Sequence, residues 1–252
     1  MSQSTISSSS LLQRYKWNVR FFAGNRPALT PLYRATLVKM TVHRKEKQGG
    51  RGALNDVTEN TDLVLDGYPG SANSSCTKEL LRVTGGDLQV ANHLHSSALV
   101  VRGVKLGKPV LLVLREPRGA VVSIHRRTPE RPLRTLLDQY IQYHKVVMPW
   151  LDAMIVSDFP ETTQRFGDVV GALNKKFDTS FPTDLDPYGN WPARKAAEAG
   201  LGRQENLRSK EELYAEVDEE HAAKLAEARK IYEQVARHAV KFPDDAAGGQ
   251  QG

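Results

Sequence analysis

One stretch, LVLDGYPGSANSS at residues 63–75, limits the folds open to this chain. Leu63, Val64 and Leu65 form a short apolar run that reads as a buried strand. Gly67, Pro69 and Gly70 then break the chain, and from Ser74 the pattern turns helical through Leu80, Leu81 and Val83. A strand, a small-residue loop and a helix in that order make a phosphate-binding unit: the loop N–H groups and the helix N-terminus converge on one spot and favour an anion there. Against the triphosphate loop G-x-x-x-x-G-K-[ST], Gly67 and Ser74 fit, but Ala72 replaces the second Gly and Asn73 the Lys. Without that Lys the β- and γ-phosphates lose their main point charge, which weakens a kinase or ATPase reading. The plain alternative is an ordinary strand-to-helix turn rich in small residues.

The rest of the chain repeats the alternation of strand and helix. Leu88, Val90 and Ala91 read as a second strand ending in the polar cluster Asn92-His93-Leu94-His95-Ser96. Ser96 stands as the N-cap of a helix that runs to Leu106, with Gly107 as its stop. Val110 to Leu114, VLLVL, is the clearest core strand and runs directly into Arg115-Glu116-Pro117-Arg118 and a helix through Val121, Val122 and Ile124. Helical spacing from Leu133 to Leu151 predicts one long amphipathic helix, residues 154–156 a short strand, and Phe166 to Phe177 another helix. Ser209 and Glu212 form a capping box that opens a single long helix through Val235. This order implies an α/β fold: three layers, a mostly parallel sheet with helices on both faces. Crossovers of this kind bring every strand's carboxyl end to one edge, where ligands bind. On that edge the sequence sets residues 71–75, His93 and His95, and Arg115 and Arg118.

The chain is long enough at 252 residues for one large domain with a real core. The expected organisation is a basic arm and linker at 1–53, an α/β domain at 54–242 and a disordered tail at 243–252. Residues 1–51 hold ten Lys and Arg against one acid, Glu46, although the whole chain carries only +6. Such an arm suits an anionic membrane surface, nucleic acid or an acidic glycan, or simply packs loosely on the domain; being Ser- and Arg-rich, it also fits an organelle transit peptide. Pro27 and Pro31 suggest two short helices within it. A single cysteine, Cys76, rules out an internal disulfide and a cysteine-based zinc site. Without a secretory segment or an apolar run of the roughly 18 residues that a span needs, the expected location is cytoplasmic, peripheral at a membrane if the arm docks there.

Three segments carry a resemblance. GYPGSANSS is similar to the 5′-phosphosulfate loop of the sulfotransferases that use 3′-phosphoadenosine 5′-phosphosulfate, of type G-[FY]-P-R-S-[GA]-[NT]-[ST], and the chain looks closest to bacterial members. VLLVLREPRGAVVS resembles their 3′-phosphate segment, in which Arg115 and Ser123 match the Arg and the Ser eight residues on. HLHSSALV resembles the segment of the catalytic His, with His95 at that position and Ser97 replacing a frequent Pro. Together they span residues 62–181. The resemblance implies a P-loop-like sulfotransferase architecture. It also implies sulfuryl transfer to a hydroxyl or amine of a glycan, lipid or small metabolite, without a metal. Ser71, Ala72, Asn73, Ser74, Ser75, Arg115 and Ser123 would hold the donor, and Arg194 and Lys195 partly echo a C-terminal donor loop. His95 would be the base, and nucleic acid is not an expected partner. One departure is Gly70, where the family carries Lys or Arg; either another cation replaces it, from the arm for example, or the protein is an impaired, binding-only relative. On this reading Gly70→Arg raises turnover with the fold intact.

Overall fold

The computed structural model describes residues 8–40, 53–54, 56–93, 95–187 and 208–243. Five strands form one parallel sheet: β1 (Ala53–Leu54), β2 (Leu63–Asp66), β3 (Val90–Ala91), β4 (Val110–Leu114) and β5 (Ile155–Asp158), in the order β1-β3-β2-β4-β5. The helices are α1 (Ser8–Gly24), α2 (Asn73–Val83), α3 (Ser97–Lys105), α4 (Pro117–His125), α5 (Leu133–Val147), α6 (Phe159–Gln164), α7 (Phe166–Phe177), α8 (Lys210–Glu220) and α9 (Ala222–Ala236).

Both sheet faces are covered, which is why the strand sequences are continuously apolar rather than alternating. Leu63, Leu65, Leu111 and Val113 pack one way against Cys76 and Leu80 of α2 and Phe166, Val169 and Leu173 of α7. Val64, Leu112 and Leu114 face the opposite core of Val100, Val121, Leu136, Tyr140, Leu225 and Ala228, drawn from α3, α4, α5 and α9. The expected three layers are present. Strand β2 is central, with β3 on one side and β4 on the other. Its carboxyl end is therefore a topological switch point, where the outgoing connections diverge and leave a crevice.

Local signals explain the boundaries. Ser96 Oγ accepts from the Leu99 N–H at 3.3 Å and caps α3. At its other end Gly107 has φ +66°, and the Lys108 N–H closes on the Gly103 carbonyl at 3.0 Å. The capping box of Ser209 and Glu212 opens α8. The long helix expected to reach Leu151 stops at Val147, because Pro149 starts a 3₁₀ turn at Met148–Ala153. The expected single helix after Ser209 breaks at His221, where the sequence carries neither Gly nor Pro. Strands β1 and helix α6 have no counterpart in the sequence reading: two residues leave no period to detect, and α6 is a single short helix begun by the Asp158 cap and Pro160.

The stretch read as a basic arm is built into the body over its described part. Helix α1 is one helix of 17 residues, after which Pro27 and Pro31 each sit in the first turn of a short helix. Phe21 and Tyr33 are buried in the core, Trp17 Nε1 donates to Gln139 Oε1 of α5 at 3.1 Å, and Arg34 grips Asp56 through two bonds of 2.7 and 2.9 Å. The linker at 45–52 and the tail at 244–252 lie outside the described residues.

Candidate functional site

The loop after β2 is held in shape by its own residues. Gly67 passes so close to β4 that a Cβ there would stand 2.1 Å from the Val113 carbonyl oxygen. Tyr68 is buried; its hydroxyl donates to the Leu136 carbonyl at 2.8 Å and its ring meets Tyr140 edge-on at 5.1 Å. Gly70 adopts φ +88°. Ala72, the residue before α2, adopts φ +74°, a left-handed conformation that costs a residue with a Cβ about 1–2 kcal/mol. His93 and His95 are also left-handed, at φ 51° and 45°. Strained backbone on two adjoining loops is over-determined by the packing around it and recurs at ligand sites.

Three strand ends meet at this loop. From β4, Arg115 Nη1 donates to the Gly70 carbonyl at 2.6 Å, and its guanidinium lies 4.2 Å over the Phe159 ring. From β3, His93 Nε2 lies 3.2 Å from Ser74 Oγ. From β2 itself, Asp66 accepts from the backbone N–H groups of Gly67, His95 and Ser96, from the Tyr143 hydroxyl at 3.2 Å and from Asn73 Nδ2 at 3.4 Å. Burial raises the Asp66 carboxyl to about 7, against the pull of those donors. Asp66 thus ties the first loop to the histidine loop and α5, a role that its position in the sequence did not announce. Tyr143 of α5 is the buried donor on its far side.

The donor-site residues expected from the sequence divide as follows. Ser71 and Asn73 are buried, Ala72, Ser74 and Ser75 half-buried, and all five lie in the loop or the first turn of α2. Ser123 lies on α4, one turn on from Ala120, whose carbonyl oxygen would be 3.0 Å from a Cβ at Gly70. Arg118 turns away, to Asp218 of α8 at 2.6 Å and the Tyr214 ring. It borders a surface groove with Leu225 and Arg229 that is separate from the loop. Arg194 and Lys195 lie outside the described residues. Ser71 Oγ, Asn73 Oδ1, Thr77 Oγ1 and His95 Nδ1 are buried with no hydrogen-bond partner in the protein. Buried polar atoms are nearly always satisfied, so these four, on the loop, on α2 and on the histidine loop, have capacity for a water or a polar ligand.

His95 is turned inward. Its ring bonds the Gly67 carbonyl and stands 6.0 Å from Trp17 and 5.8 Å from His93. Desolvation, with the charges of His93, Arg20 and Arg127 added, lowers its pKa to about 3, so it stays neutral through the physiological range. The N-terminal segment fixes its backbone: Asn25 Oδ1 accepts from the Ser97 N–H at 2.9 Å and hydroxyl at 2.6 Å, Asn25 Nδ2 donates to the His95 carbonyl at 3.4 Å, and Ser96 Oγ donates to the Gly24 carbonyl. Asn25, Trp17 and Arg20 escaped the sequence reading because nothing in their local pattern points 70 residues ahead.

Among the described residues one group has metal-ligand spacing, Glu216, Glu220 and His221. It sits at the α8–α9 junction with Glu216 already paired to Arg208, and it contributes nothing to the loop. No helix of the described residues is long and apolar enough to cross a membrane. Compared with family models, with curated proteins and with solved structures, the chain finds no match in any of the three.

Proposed function

We propose that the chain is a sulfotransferase that takes a sulfuryl group from 3′-phosphoadenosine 5′-phosphosulfate and passes it to a hydroxyl or amine. The observation that carries this reading is the meeting of three strand ends at the switch point, with Arg115, His93 and Asp66 all engaged on one small-residue loop. In-line transfer of this kind spreads charge over equatorial oxygens and asks for positioned donors more than for covalent help. The residues fit the donor: loop N–H groups and Ser71, Ser74 and Ser75 at the 5′ end, Arg115 and Ser123 at the 3′ end. His95 fits the base, since the Gly67 carbonyl takes one ring nitrogen and Nδ1 is left with no donor. A kinase is disfavoured. Asn73, in the place of the Lys, is turned onto the Gly67 carbonyl at 3.0 Å, and Asp66, the nearest carboxylate for Mg²⁺, is committed to backbone N–H groups.

Calorimetry tests the reading. The protein is expected to bind 3′,5′-bisphosphoadenosine at least about tenfold more tightly than ATP, because a bound 3′-phosphate gains charge-assisted hydrogen bonds that ATP cannot make. Equal affinities would overturn it. The binding-only alternative draws on Gly70, where the family cation is missing; donor binding without turnover, measured with labelled donor over a panel of hydroxyl and amine acceptors, is its signature.

Attachment to an anionic membrane rests on α1. Tyr15, Val19 and Phe22 recur along one side of it at 67%, 41% and 50% exposure, and Leu32 adds 64%. Arg26 stacks on Phe22 at 4.0 Å. An apolar stripe with cations beside it suits an anionic interface. Deleting residues 1–51 would remove buried Phe21 and Tyr33 and so cannot test this; Phe22→Ser can. It is expected to weaken binding to vesicles containing phosphatidylserine about tenfold, from the apolar area lost. Full-length protein that ignores such vesicles at low salt would refute the attachment.

A further inference from the structure

His95 lies between the end of β3 at Ala91 and the cap of α3 at Ser96, in the left-handed conformation at φ 45°. A residue with a Cβ keeps that conformation only where its surroundings hold it. The turn that follows α1 supplies the hold. Asn25 is buried, and its side-chain amide makes four hydrogen bonds, the full capacity of the group. Its Oδ1 accepts from the Ser97 N–H at 2.9 Å and from the Ser97 hydroxyl at 2.6 Å. Its Nδ2 donates to the Phe21 carbonyl at 2.7 Å and to the His95 carbonyl at 3.4 Å. One side chain thus ties down both the carbonyl of His95 and the N–H two residues on.

The neighbours of Asn25 press on the same stretch. The Gly24 carbonyl accepts from Ser96 Oγ, the hydroxyl that also caps α3. A Cβ at Gly24 would stand 3.2 Å from both Cβ and Oγ of Ser96 and 3.1 Å from Tyr33 Cζ, so turn and histidine loop meet without spare room. Two turns earlier on α1, the Trp17 ring lies 6.0 Å from the His95 ring and is itself held by Gln139 Oε1 at 3.1 Å. Only an amide of this length suits position 25. A carboxylate has no donor for the two carbonyls, and a leucine of the same shape has neither donor nor acceptor. The four bonds of the Asn25 amide go to Phe21 and to residues 95–97, and none goes to the donor loop.

We propose that Asn25 is the positioning residue for His95, and that the turn after α1 belongs to the machinery of the site. A base must stand within about 3 Å of the proton it takes, and a misplacement of about 1 Å can cost about 10²-fold in rate. Without the amide the His95 backbone is released from φ 45°, and the imidazole leaves its place with it. The chemical role of His95 rests on the sulfotransferase reading; the hold on His95 does not.

Asn25→Ala in the full chain tests this in two ways. With labelled donor and the acceptor panel, kcat should fall about tenfold while 3′,5′-bisphosphoadenosine affinity stays within about twofold. In a His95→Ala background the same substitution should change kcat by less than about twofold, because the group that it positions is gone. The second way needs no substrate. His95 is turned inward, so diethyl pyrocarbonate reaches its ring only when the loop opens; modification of His95, followed by mass spectrometry, should quicken about tenfold or more in Asn25→Ala. Arg34→Gln is the control: it breaks the pair with Asp56 in the same segment and should lower Tm without moving either readout. Gly24→Ala crowds Ser96 and repeats the test should Asn25→Ala unfold. Unchanged modification of His95 in Asn25→Ala, or the same loss of kcat in the parent and in the His95→Ala background, overturns the positioning role. Faster modification of His95 in a protein that does not take the bisphosphate upholds the hold and refutes the sulfotransferase reading.

Discussion

His95→Ala is expected to lower turnover about 10²-fold, the low end of what a general base contributes, because burial makes this imidazole a weaker base than a free one, while donor affinity stays within about twofold. His93→Ala is expected to do something else. His93 touches Ser74 of the donor loop at 3.2 Å, so its loss should raise the donor Kd and leave the chemical step less affected. Arg115→Ala should also act on donor binding, because Arg115 holds the Gly70 carbonyl and stands at the expected 3′-phosphate. The pH dependence has a sign and a place. A base must be deprotonated to work, so the rate falls when pH drops through its pKa. From the sequence alone that limb belongs near the ordinary imidazole value of about 6.5. Burial and neighbouring cations move it to about 3, so kcat/KM should show no His95 limb between pH 4 and 7. Full turnover in His95→Ala with loss in His93→Ala would transfer the base to His93. Unchanged turnover in both would remove the base assignment and favour the binding-only alternative.

The sequence carried the fold where the signal was local. VLLVL had to be a strand buried on both faces, Ser96 had to cap, and Gly107 had to end a helix, because each depends on residues within one turn of itself. The site was legible to the extent that parallel crossovers force strand ends onto one edge: Arg115, His93 and the loop were assigned together on that ground, and they meet. Arg118 shared their position in sequence yet faces Asp218, since the direction of a long side chain is settled by a helix 100 residues away. Asp66 is an acceptor of backbone N–H groups, which only the fold of the histidine loop over it could reveal. Trp17, Arg20 and Asn25 were hidden for the same reason: an N-terminal stretch with ten cations against one acid reads as an arm, and its packing depends on Phe21 and Tyr33 finding a core made elsewhere.

Gly67→Ala should be the most damaging small substitution in the loop. The new Cβ would sit 2.1 Å from the Val113 carbonyl oxygen and 3.2 Å from Asn73 Oδ1. Val113 lies within β4, paired with Ser157 of β5 and next to Leu112, which pairs with Asp66 of β2, so its carbonyl cannot retreat without disturbing the sheet beside the loop. Stability should fall by about 3 kcal/mol or more, about 6–12 °C in Tm for a chain of this size, with donor binding lost as the loop is displaced. Gly70→Arg belongs to the same experiment, and here the structure corrects the sequence expectation of higher turnover with an intact fold. A side chain at φ +88° is strained by about 1–2 kcal/mol, and its Cβ would press on the Ala120 carbonyl oxygen at 3.0 Å. The expected result is a lower Tm and no gain in rate. Gly171→Ala in α7 is the control: the nearest atom to its Cβ is 4.0 Å away, and alanine there should be neutral or stabilising. A Gly67→Ala protein that melts with the control would mean that β4 yields to the loop, and the close passage of loop and strand would no longer account for the glycine at that position.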